Sequence, residues 1–202
     1  MALTFPLSLP TVRGTSEITL HRHNVVGASY SGTSLAGQTY RWGGNRWELS
    51  LVFPKMARAH GAQWDAVLTA LEGPHGSFLW GPPRYTAPLG TVGGSPVCTS
   101  AADRAQTIAV SGGTGTLLRG SMVSIGSGLA RRMYMVLADV SLAGGNMEIW
   151  PSLRGAIASS TAIVLNGPSC IFQLAPGSKH ATKEDTAGRM MINPLTAWED
   201  LR

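Results

Sequence analysis

Residues 47–83, WELSLVFPKMARAHGAQWDAVLTALEGPHGSFLWGPP, carry a strand, a helix and a second strand in immediate succession. Trp47, Leu49, Leu51 and Phe53 alternate with Glu48, Ser50 and Val52. With side chains on alternate faces of a strand, four large apolar groups share one face. Pro54 ends that run, and the period then changes. His60, Trp64, Val67, Leu68 and Leu71 recur at three- and four-residue steps, the apolar stripe of a helix running over about 57–72. Gly73 suits a left-handed C-terminal residue and Pro74 forbids continuation. GSFLWGPP at 76–83 follows as a short apolar strand stopped by two prolines.

Working outward, residues 1–16 hold Pro6, Pro10 and Gly14 with little periodicity, which predicts an extended arm. From Glu17 the chain alternates again, Ile18 and Leu20 against Glu17 and Thr19, a half-buried strand. The stretch 27–39 is small and polar and predicts a long loop or weakly ordered hairpin. Tyr40 and Trp42 precede a turn at Gly43, Gly44 and Asn45 and are expected to pair with the 47–53 strand. Residues 84–100 are rich in Pro, Gly, Ser and Thr and read as a linker. Beyond them come short apolar runs at 107–110, 122–125, 133–137, 147–150, 162–165 and 170–174, each bounded by turn formers. Five or six strands about ten residues apart suggest a small β-barrel or sandwich.

The expected architecture is therefore mainly β. A β-sandwich with one packed helix spans about 1–85, and a small barrel spans about 88–176. The tail, with Leu195, Trp198 and Leu201, is expected to return from 180–202 as a last strand of the sandwich, which makes the barrel an insertion.

Of 202 residues, only 13% are charged, against about a quarter in an average soluble domain. That hints at a surface covered by partners. The net charge is +5, yet Lys and Arg are scattered and the densest pair is Arg131 and Arg132, which does not make a nucleic-acid footprint. Cys98 and Cys170 lie too far apart in sequence for a zinc spacing or a disulfide framework and read as free thiols in a reducing compartment, with one long-range bridge as the alternative. No signal-peptide pattern and no 18-residue apolar run is evident, so the cytosol is the expected place of synthesis, with no membrane partner.

Few residues nominate chemistry. His21 and His23 would share one strand face as a metal pair does, but no third ligand stands at a telling spacing. SGGTGT at 111–116 is glycine-rich, yet it lacks the Gly-Lys-Ser/Thr ending of a phosphate loop and predicts a turn, as does SIGSG at 124–128. No Gly-x-Ser-x-Gly elbow occurs, and nothing nominates a carboxylate pair. No catalytic, metal or cofactor residues are expected. Trp47 and Trp64 belong to apolar stripes, whereas Trp42, Trp80 and Trp198 sit near turns and ends and are candidates for subunit contacts. Tyr30 and Leu35 in the 27–39 segment and the basic pair Arg131 and Arg132 complete the interface candidates.

The order of these features resembles a family. FPLSLPTVRG at the start, the strand ending in FPKM, the helix AQWDAVLTALEG and GSFLWGPP together are similar to distal tail proteins of tailed bacteriophages. LLRGSMVSIGSG, RRMYMVLADV, MEIWPSLR and CIFQLAP extend the likeness over nearly the whole chain. The resemblance implies a non-enzymatic virion protein with a tail-tube-like sandwich and a second barrel of the OB-like or galectin-like kind. It implies a ring, usually hexameric, between the tail tube protein and the hub or fibre proteins, with DNA passing through the lumen unread. The net positive charge departs from the acidic lumen such tubes usually have. Competing readings are another tail component (tube, tail-completion or hub protein), a carbohydrate-binding tail module, or a cell-wall hydrolase.

Overall fold

The computed structural model describes residues 4–11, 14–34, 36–41 and 43–201. The first part of the chain forms β1 (Leu7–Ser8), β2 (Glu17–His23), β3 (Val26–Tyr30), β4 (Gly37–Arg41), β5 (Arg46–Val52), β6 (Met56–Ala57), α1 (Arg58–Ala70) and β7 (Ser77–Trp80). Then come β8 (Gly90–Cys98), β9 (Thr107–Leu117), β10 (Met122–Ile125), β11 (Arg132–Val136), β12 (Val140–Ser141), β13 (Gly145–Trp150) and β14 (Thr161–Val164). The last part supplies β15 (Cys170–Leu174), β16 (Thr182–Glu184), β17 (Arg189–Ile192) and β18 (Leu195–Glu199).

Two bodies result. One is a six-stranded sheet in the order β1-β7-β15-β18-β5-β2, parallel only at β1 and β7. In the other, β9-β13-β11-β10-β14-β8 runs antiparallel throughout, and a second pairing of β8 with β9 closes it into a six-stranded barrel. The protein is thus mainly β, with one α-helix and a small barrel. Closure leaves the barrel without a free edge among these six strands. The barrel lies in the chain between β7 and β15, and those two strands are antiparallel neighbours in the open sheet, so it is inserted between adjacent strands.

The alternation seen at 47–53 decides what each face does. Trp47, Leu49 and Leu51 are fully or almost fully buried, while Glu48, Ser50 and Val52 are half-buried on the opposite side. That one apolar face has two lids. At its far end Phe53 meets Trp64 of α1 edge to face, with centroids 4.9 Å apart. At its near end Trp47 meets Trp150 of the barrel at 4.5 Å and 86°. Trp64, Leu68 and Leu71 form the helix's buried stripe, as the spacing predicts. The helix also rests on a small sheet, β16-β17-β6. Gly61 makes that approach possible, because a Cβ there would lie 2.6 Å from Met190 Cβ on β17.

The structure corrects several expectations. Residues 84–100 are not a linker, because β8 occupies most of them and pairs along β9. SGGTGT at 111–116 is strand, not turn. Gly115 has φ +79° and passes so close to β8 that a Cβ would collide with the Thr91 carbonyl oxygen. The barrel ends at β14, since β15 at 170–174 pairs with β7 and β18 in the open sheet. The first residues are not simply an arm, because Leu7 and Ser8 pair with Phe78 and Leu79. Tyr40 does not face the 47–53 strand. Both edges of β5 are taken, by β2 and β18, and β4 pairs with β3 instead.

Candidate interaction surface

The open sheet ends in β2, whose seven residues pair only with β5 among the described strands. An unpaired edge of that length is a template for another chain. It carries Glu17, His21, Arg22 and His23, and charged side chains such as Glu17 and Arg22 protect an edge from indiscriminate pairing. His23 Nδ1 lies 3.4 Å from Glu48 Oε1, which also takes Arg46 at 3.1 Å. Among the described residues no group of three His, Cys, Asp or Glu could hold a metal ion. Likewise, no described helix is long and apolar enough to cross a membrane.

Beyond β2, strands β3 and β4 form a separate two-stranded hairpin. Val26 is 54%, Tyr30 70% and Tyr40 55% exposed. A lone two-stranded ribbon is marginal in water. Exposed aromatics on such a ribbon are the sort of residue that interfaces bury.

A groove of about 420 Å³ separates the open sheet from the barrel, with Leu20, Arg22, Trp80, Tyr85, Met122 and Met135 along it. Arg22 bridges its walls, donating to Met135 Sδ at 3.5 Å with its guanidinium 5.8 Å from the Trp47 ring centroid. The groove is amphipathic, suited to burying a partner's mixed surface.

Beneath the sheet-to-barrel junction lies a buried carboxylate. Glu199 is 1% exposed, its Oε2 accepts from the Trp47 N–H at 3.2 Å, and its Oε1 is buried without a hydrogen-bond partner. Burial pushes its carboxyl up to about 7, against the opposing pull of the Trp47 N–H and the charges of Arg154, Arg132 and Arg46. Desolvation also raises Tyr134, and it raises the thiols, Cys98 to about 11 and Cys170 well above its usual range. Both cysteines are free and buried, one in each core.

The interface candidates scatter. Trp42 and Leu35 lie outside the described residues. Tyr30 stands out on the hairpin. Trp198 is half-buried on β18 and capped by the Arg46 guanidinium at 3.8 Å. Trp80 is 8% exposed, edge-on to Phe172 at 5.5 Å, with one margin on the groove. Arg131 is half-buried and donates to Ser169 Oγ at 3.2 Å, tying the barrel to the approach to β15. Arg132 is buried and donates to the carbonyls of Leu129 and Arg131. Among the described candidates, only Tyr30 is thus a prominent surface group. Sequence reasoning passed over Glu199, counting it only among the acids of the C-terminal tail. The signal was present, because Leu195, Ala197 and Glu199 share one strand face. Comparison with models of known families and with curated proteins finds no match for this chain.

Proposed function

We propose that this chain is a structural virion protein that forms a ring, six subunits in the simplest case, at the distal end of a phage tail. In that position it joins the tail tube to the hub and receptor-binding apparatus around the path of the DNA. The observation that carries the reading is the pairing of an open sheet, ending in the free strand β2, with a closed barrel inserted between two of its strands. The open sheet offers an edge for subunit assembly and the closed barrel offers none, so the two bodies divide between ring building and outward contact. Edge-to-edge contact of identical subunits is heterologous, and a rotation that closes yields a ring. The exposed hairpin and the low overall charge favour the same reading. The positive charge is spread over separate exposed positions, among them Arg58, Arg84, Arg104 and Arg119, rather than gathered as a nucleic-acid site would be. Immunogold labelling of virions with an antibody to this chain tests the placement. Gold at the tail end alone is the expected outcome, and gold along the tube or at the head contradicts it.

A further inference from the structure

The hairpin of β3 and β4 leaves the open sheet between Asn24 and Gly43, and the barrel grips it at both feet. At the first foot, Trp150 at the end of β13 donates its indole N–H to Asn24 Oδ1 at 3.0 Å. At the second, Arg154 donates from Nη1 to the Gly43 carbonyl at 2.7 Å. A Cβ on Gly43 would sit 3.7 Å from Arg104 Cδ, so a further barrel residue flanks the same foot. A brace joins the two sides, because the Val25 N–H donates to Oδ1 of the buried Asn45 at 3.0 Å. The grip has a firm seat. Trp150 is 8% exposed and packs edge-on against Trp47, whose Nε1–H donates to the Met133 carbonyl on β11 at 2.8 Å.

We propose that the inserted barrel is a positioning device for the hairpin. The Trp150-to-Asn24 and Arg154-to-Gly43 bonds fix the angle at which the hairpin leaves the sheet, so a displacement of the barrel releases or redirects it. A two-stranded ribbon cannot hold its own direction, and one bond alone would leave an axis to swing about. Two bonds, one at each foot, remove that axis. The donors are side chains of one short barrel segment, and the acceptors flank the hairpin in sequence. Whatever engages the barrel surface therefore bears on Tyr30 and Tyr40, the most exposed aromatic residues among those described. This coupling is a property of the single chain and does not depend on ring formation.

Distance measurement between spin labels tests it. Labels go on Thr33→Cys in the hairpin and Leu129→Cys in the barrel, in the full chain diluted into excess unlabelled protein so that only distances within one chain are read. Cys98 and Cys170 are buried and do not compete for the label. One narrow distance is expected with the grip intact, and loss of that single maximum when Asn24→Ala is combined with Arg154→Gln. Should Arg154→Gln impair folding, Asn24→Ala with Trp150→Phe makes the same comparison from the first foot. A distribution equally narrow with and without the bonds overturns the proposal, because something else then holds the hairpin. A distribution already broad in the unaltered background overturns it too, because nothing holds it.

Discussion

Glu199 shows how a single residue costs the fold stability in a defined pH window. Its folded-state value of about 7 lies above the ordinary 4.5, so the native chain binds more protons than the unfolded chain between those limits. Stability from this group is complete below about pH 4.5 and is lost as pH rises through about 7, a loss of about 3 kcal/mol. Glu199→Gln removes the titration, so its urea midpoint is expected to change less than that of the unaltered chain across the window. A parallel pH profile for the two proteins would refute the assignment. Trp47 is the other residue on which both bodies lean. Trp47→Phe keeps an aromatic ring against Trp150 but leaves the buried Met133 carbonyl without its donor. The expected cost is about 1–3 kcal/mol in denaturant unfolding.

The elements that could be read directly from the sequence are those whose pattern is local. The alternation at 47–53 and the helical stripe through Trp64, Leu68 and Leu71 depend on near neighbours in sequence. Pairing partners do not. A run such as CIFQL at 170–174 suits either core, and only the free edge beside β7 decides where it goes. Glycine misled in the barrel for a physical reason. In β8 and β9 it reads as linker or turn, yet the two strands approach so closely at Gly115 that no side chain fits. The hairpin grip could not be foreseen, since it joins Asn24 and Gly43 to residues more than a hundred positions away. Gly61 gives the sharpest test at this scale. In an exposed helix Gly→Ala gains about 1 kcal/mol. Here the added methyl meets Met190, and Gly61→Ala is expected to lower stability by about 1–3 kcal/mol. A stabilised variant would mean that α1 and β17 are not packed as described.

At the scale of the whole molecule, the two bodies share one aromatic junction, with Trp47 on the sheet side and Met133 and Trp150 on the barrel side. The open sheet keeps a free edge and an exposed hairpin, while the barrel has closed on itself. That asymmetry is why assembly, rather than catalysis, is the function proposed. The mass of the purified full chain in solution, followed by negative-stain imaging, addresses the claim most directly. The ring account predicts a closed oligomer, six-fold in the simplest case, with a central opening wide enough for duplex DNA. A chain that stays monomeric at every concentration, or that assembles without an axial opening, would contradict it.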